Sequence, residues 1–460
     1  MFIGRENELN TLHSLWNANS FACALIYGKK YVGKTSLIAE FSKGKKTIFF
    51  SALPSTESDN LASFSKALFS CISPATHTIP VFDDFETILQ NIDTFAQKER
   101  VLLVIDNFSN LYRSSPDILK LLQRFVEHEF AATNLFLILA DASLNFMTDT
   151  MMSSKSPLYG LYSVALKLEP FDYKETAQFF PDYTPEDKAL VYGITGGIPY
   201  YLEKLDAKAD IKSNIMSAFF LRNALFAETP SMIMKQELRE LTTYNAILTA
   251  IANGSVRLNE IAERAGLETG LCVKYLKALA SMDIIEKETP VASRDRKKSF
   301  YQISDYMFRF WYRFVPANMS HIASGRIFLS YLTAVEDHLP AYMEDIFYDI
   351  AKEYLVKYCS FVPFQIHNIG CFWGKDEQNK IDLLATDIEN EHGLFGTLQY
   401  TSGRPMDVSD LHDLMKKSEA VKMVSTRHYC LINRSGFTDV LKAKAADEGV
   451  LLITLPQLYR

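Results

Sequence analysis

The chain has 460 residues, enough for about three domains of ordinary size. Hydrophobic residues make up 48% and charged residues 22%, which excludes wholesale disorder. The net charge of −7 excludes a protein built only to coat nucleic acid, so any DNA contact has to be local.

The six cysteines are scattered and include no C-x-x-C pair, which fits reduced thiols and offers no zinc site. The opening Met1-Phe-Ile-Gly-Arg-Glu lacks a basic leader followed by an apolar core. The longest apolar runs, 101–105 and 135–140, are far shorter than a membrane span. The expectation is a cytoplasmic protein with no membrane segment.

Residues 23–27, 47–52, 101–105, 135–140 and 164–168 read as buried strands. Amphipathic stretches such as 61–69 and 118–128 lie between them. Strands alternating with helices predict a parallel sheet covered on both faces, with ligands beyond the carboxyl ends of its strands. From 172 to 235 the pattern is helical, opened by the capping-box-like Asp172-Tyr-Lys-Glu and broken at Gly196-Gly-Ile-Pro-Tyr. Three helical patterns and an alternating stretch fill 236–315, and 316–340 reads as a helical connector. Residues 341–460 return to mixed helix and strand, with strands expected at 380–385, 393–400, 428–432 and 450–454.

Gly28-Lys-Lys-Tyr-Val-Gly-Lys-Thr matches G-x-x-x-x-G-K-[ST], between a strand and a helix expected over 36–41. Gly28 and Gly33 let the backbone wrap a phosphate chain with N–H groups pointing inward. Lys29, Lys30, Tyr31, Val32 and Ser36 complete the candidate binding segment. Lys34 is placed to reach terminal phosphates, and the Thr35 hydroxyl to ligate magnesium. Asp106, at the tip of the strand 101–105, is the second candidate for the magnesium. The expected cofactors are ATP and Mg2+.

Phe2-Ile-Gly-Arg-Glu-Asn-Glu-Leu resembles the opening motif of STAND-type P-loop ATPases, in particular the archaeal-type ATPase family also found in bacteria. Gly196-Gly-Ile-Pro-Tyr, Tyr301-Gln-Ile-Ser-Asp-Tyr and Phe308-Arg-Phe-Trp-Tyr-Arg-Phe resemble it too. The resemblance implies an α/β fold. It comprises an AAA-like P-loop NTPase domain over 1–171, a helical lid over 172–235, a winged helix over 236–315, the connector 316–340 and a restriction-endonuclease-like domain over 341–460. It also implies Ile3, Gly4, Arg5 and Pro199 as nucleotide-site residues.

The resemblance breaks at three places. Family members carry Asp-Glu after the third strand, the glutamate polarising water, whereas this chain has Asp106-Asn107. Asparagine orients water but accepts no proton. They carry arginine after the Pro-Leu-Tyr-Gly segment, whereas Leu161 follows Gly160 here. The fourth strand ends in Ala140-Asp-Ala-Ser. Asp141 either replaces the missing glutamate or caps the following helix.

In the winged-helix region, 243–252, 258–265 and 269–282 read as helices, with Val273, Leu276 and Leu279 inward and Lys274 and Lys277 outward. A basic wing, Arg294-Asp-Arg-Lys-Lys, lies between strands at 284–288 and 300–303. Two readings stay open, phosphate contacts to DNA and a packing module with a solvated charge run. In the last region Glu344 sits on a helix over 341–354, and Asp382 interrupts an apolar strand. Thr397-Leu-Gln399 stands where the endonuclease-like pattern has Glu-x-Lys, so no nuclease activity is expected. The reading is an ATP-binding switch with slow hydrolysis that possesses a potential DNA-docking module. An ATPase using Asp141, and a DNA-binding regulator with structural ATP, are its alternatives.

Overall fold

A computed structural model describes residues 2–72, 79–235, 238–291, 299–373 and 380–460. The chain falls into two compact units. The first holds Met1–Pro170 together with Ile198–Tyr200, and the second holds Phe171–Gly197 and Tyr201–Arg460.

The first unit is built on a five-stranded sheet of β1 (Ala22–Tyr27), β2 (Thr47–Ser51), β3 (Val101–Asp106), β4 (Leu135–Asp141) and β5 (Val164–Lys167). The strand order is β2-β3-β4-β1-β5 and every pairing is parallel. The sequence explains the order. β3 and β4 are buried at every residue, as continuous apolar strands in the middle of a covered sheet should be. β2 and β5 are partly exposed and form the edges. Along β1, Cys23 and Leu25 join the core on one face, and Ala22, Ala24 and Ile26 join the core on the other.

β4 lies between β1 and β3, which brings Asp141 to the end of the sheet where the phosphate-loop strand and the Asp106 strand finish. The loops after β1, β3 and β4 therefore open at one end of the sheet. A helix over Phe85–Ala96, capped by Asp84, was absent from the expected elements.

In the second unit, Asp172 and Glu175 form the expected capping box at the start of Tyr173–Ala177. The chain then breaks at Gly196 and Gly197, both with positive φ. A Cβ on Gly197 would lie 1.9 Å from the Phe171 carbonyl oxygen, so only glycine fits there. Helices Pro185–Thr195, Tyr306–Phe314 and Leu339–Lys357 pack together, with the Tyr342 hydroxyl donating to the Gly193 carbonyl at 2.6 Å.

Helices Leu241–Ala252, Leu258–Arg264 and Thr269–Ser281 precede an antiparallel ribbon of β6 (Ile285–Glu288) and β7 (Phe300–Ile303). Leu276 and Leu279 face inward as expected, but the row begins at Cys272, four residues before Leu276, and leaves Val273 half-buried. Lys274 and Lys277 are exposed. Arg294, Arg296, Lys297 and Lys298 lie outside the described residues.

The last sheet runs β12-β11-β10-β9-β8, from β8 (Asn368–Trp373), β9 (Lys380–Thr386), β10 (His392–Gln399), β11 (Thr426–Asn433) and β12 (Leu451–Thr454). β10, β11 and β12 are parallel, while β9 and β8 are antiparallel. Among the described residues no helix is long and apolar enough to cross a membrane.

Candidate functional site

The site in the first unit starts from a close approach. Gly28 ends β1 with φ 150, and a Cβ there would lie 2.3 Å from the Leu168 carbonyl oxygen. The chain turns through Tyr31 (φ 70) and Gly33 (φ 95), both left-handed, before the helix Lys34–Ser42 begins. No side chain caps that helix, so its first N–H groups face the loop. Val32 is fully buried and anchors the loop in the core, while Thr35 and Ser36 are exposed at the helix start.

Lys34 is buried at 8% exposure. Its Nζ donates to the carbonyls of Gly28 and Lys29, each at 2.9 Å. Burial pulls its pKa down to about 8, against the opposing pull of Asp106 and Asp141. An ammonium held only by loop carbonyls is a built receptor for an anion.

The Thr35 hydroxyl donates to Asp106 Oδ2 at 3.2 Å. Burial pushes the Asp106 carboxyl above its ordinary range, while the Asn107 N–H and the Thr35 hydroxyl hold it back. A hydroxyl and a carboxylate paired this way fit a magnesium ion that keeps its waters and takes phosphate oxygens as further ligands. Among the described residues no group of three or more His, Cys, Asp or Glu could hold a metal alone. A cation here would need further oxygen ligands, such as water or phosphate.

The groups expected to act on water are committed elsewhere. Asn107 is left-handed (φ 55) and its amide donates to Ser51 Oγ at 3.0 Å. Asp141 is buried at 2% exposure, with Oδ2 accepting from the Ser109 N–H at 2.5 Å and Oδ1 from the Ser143 N–H at 2.7 Å. It thus binds the start of helix Phe108–Ser114 as well as the turn after its own strand. Leu161 packs against the apolar core.

Arg5 is a bracket. Its guanidinium donates to the Val32 carbonyl at 3.1 Å and the Glu169 carbonyl at 2.5 Å, and pairs with Glu8 at 3.3 Å. Gly4 is buried and Ile3 half-buried just before it. Pro199 lies beside the loop, its Cγ 3.6 Å from where a Cβ on Gly33 would be. The ring of Tyr200 stacks on Tyr31, with centroids 4.3 Å apart and planes 19° apart. Sequence reasoning missed Tyr200. Its only signal was its place next to Pro199.

In the second unit Asp382 lies on β9. It is one-third exposed, and its Oδ2 accepts from Thr397 Oγ1 at 3.0 Å and the Leu398 N–H at 3.2 Å. Glu344 accepts from the N–H groups of Tyr400 and Thr401. Gln399 Nε2 reaches Asp410 at 3.5 Å. A cleft of about 590 Å³ includes Glu344 and Asp382 in its wall, with Lys380 and Trp373. Glu344 and Asp382 are thus already hydrogen-bonded within the fold.

Residues 2–205 match a family model described as an ATPase domain predominantly from Archaea. Residues 311–414 match one described as archaeal and bacterial proteins of unknown function. The chain is 31% identical over 436 residues to the uncharacterized protein MJECL04 of Methanocaldococcus jannaschii, covering 94% of this chain and 95% of that protein. It is also 44% identical over 46 residues to an uncharacterized ATP-binding protein, MJ0423, of the same organism, covering 10% of this chain and 78% of that protein. Among solved structures it is similar in fold to a Walker-type ATPase of Pyrococcus abyssi. That match has a TM-score of 0.52 and 17% identity, covering 68% of this chain and 96% of that one.

The buried ammonium has a measurable cost. Unfolded, Lys34 titrates near 10.5; folded, it releases its proton near 8. Below pH 8 the folded protein carries the unfavourable charge in full, and the penalty fades as pH rises from 8 towards 10.5. Lys34→Met should therefore stabilise the ligand-free protein at pH 7 by roughly 1–3 kcal/mol. The gain should shrink towards pH 10.5 in denaturant titrations. A variant less stable than wild type at pH 7 would contradict this.

Proposed function

Since this chain belongs to the family of MJECL04 and carries the predominantly archaeal ATPase domain, we propose that it is an ATP-binding switch of the STAND type with slow hydrolysis. The observation that carries the reading is the buried Lys34 ammonium, held by two loop carbonyls beside the Thr35–Asp106 pair. Lys34 and the N–H groups of 29–35 would hold the β- and γ-phosphates. Thr35 and Asp106 would hold magnesium, which supplies neutralisation of phosphate charge. Ile3, Gly4, Arg5 and Pro199 would border the nucleotide.

Slow hydrolysis follows from the groups near the third and fourth strands. Asn107 has no basic oxygen, and its amide is tied to Ser51. Both oxygens of Asp141 accept from backbone N–H groups, which favours the structural role over a substitute base. Leu161 supplies no charge to a developing phosphate. A switch requires that ATP and ADP bias two states of the protein unequally.

The domain reading extends the proposal. Residues 172–235 act as lid, 236–315 as a winged helix, 316–340 as connector and 341–460 as an endonuclease-like scaffold that does not cut. The three helices and the β6–β7 ribbon support the winged helix, and the mixed sheet with Glu344 and Asp382 supports the scaffold. Exposed Lys274 and Lys277 support phosphate contacts to DNA.

Two tests follow. By calorimetry, Lys34→Ala should abolish ATP binding, and Asp106→Ala should remove most of its magnesium dependence while leaving weaker binding. Unchanged affinity in Lys34→Ala would refute the nucleotide reading. For DNA, Lys274→Glu with Lys277→Glu should weaken duplex binding and flatten the slope of log affinity against log salt by about two. Absence of any wild-type shift at low salt would favour the packing module.

A further inference from the structure

The segment Ile198–Tyr200 is three residues long, and the chain on either side of it belongs to the second unit. These three residues nevertheless pack with the first unit, at the phosphate loop. The two left-handed glycines just before it turn the chain into this segment.

Ile198 is buried, and Tyr200 adds an aromatic contact with the loop. Tyr200 is 38% exposed, so burial alone does not account for its position. Its ring lies on Tyr31, a residue inside the phosphate loop. Tyr31 adopts a left-handed conformation, which a tyrosine rarely adopts without support from its surroundings. The Lys30 ammonium stands 5.1 Å from the Tyr31 ring centroid, and Pro199 rests against the space above Gly33. Loop conformation and segment position are therefore joined through the Tyr31–Tyr200 ring pair and the Pro199 contact.

We propose that Tyr31 and Tyr200 form a latch that ties Pro199 to the phosphate loop and slows nucleotide release. Tyr200 is a positioning residue, acting through Tyr31 and Pro199. The proposal rests on the nucleotide reading above and adds to it a kinetic control. A phosphate chain that draws the N–H groups of the loop inward fixes the backbone of Tyr31, and with it the face on which Tyr200 stacks. An empty loop leaves that face less constrained. The latch is then strongest when the site is filled, and release of nucleotide requires the ring pair to part.

The test is stopped-flow release of a fluorescent ATP analogue from the full chain, chased with excess ATP, together with its equilibrium affinity. Tyr31→Ala and Tyr200→Ala should each speed release about three- to tenfold, the range an aromatic pair supports. The double variant should be no faster than the faster single one, because both remove the same contact. Tyr200→Phe keeps the stack and should restore slow release. Unchanged release in Tyr200→Ala, or effects that multiply in the double variant, would overturn the latch. Lys34→Ala separates the two ideas. If that variant binds the analogue as wild type does, the nucleotide reading fails. If it does not, and Tyr200→Ala releases no faster than wild type, only the latch fails.

Discussion

Lys34 carries a positive charge into a place with little water, and the rest of the first unit is arranged around that cost. Among the described residues it makes no ion pair, and its hydrogen bonds go to two carbonyls of the loop that surrounds it. Gly28, which supplies one of them, passes so close to Leu168 that no side chain fits. The helix behind the loop begins without a side-chain cap, leaving donors for the same anion. β3 brings Asp106 to the Thr35 hydroxyl, so the two proposed cation ligands meet beside the loop. On the proposed reading, a phosphate chain with its metal would satisfy all of these features at once.

The same end of the sheet shows what the site lacks. Asp141 reaches it from β4 but spends both oxygens on backbone N–H groups, fixing the turn and the neighbouring helix. Asn107 spends its amide on Ser51. The arrangement is preorganised for binding, while the groups that would drive chemistry on water are missing or occupied. On the proposed reading such a site would hold nucleotide longer than it turns it over, which suits a conformational switch better than a fast catalyst.

Much of the first unit was legible because its central strands are continuous apolar runs and its loop has a fixed spacing. The expected strands match β1 to β5 to within about two residues at each end, the usual play in such boundaries. The helix Phe85–Ala96 was overlooked although Phe85, Ile88, Leu89 and Ile92 keep a helical period behind an Asp84 cap. In the second unit β8 was not legible because Asn368–Trp373 contains glycine and shifts register between Gly370 and Phe372. The helix Asp439–Glu448 carries no sustained apolar stripe to announce it. The role of Arg5 as a bracket to two carbonyls, and the stacking of Tyr200 on Tyr31, depend on residues far apart in the chain. No local pattern could display them.

The central claim is that this site binds ATP and hydrolyses it slowly. The most direct measurement is the identity of the nucleotide extracted from freshly purified, undialysed protein, resolved by ion-exchange chromatography. The account predicts retained adenine nucleotide, predominantly ATP, and no retained nucleotide in Lys34→Ala. Protein that carries ADP alone, or wild-type protein that carries no nucleotide and takes up none when supplied with ATP and magnesium, would contradict it.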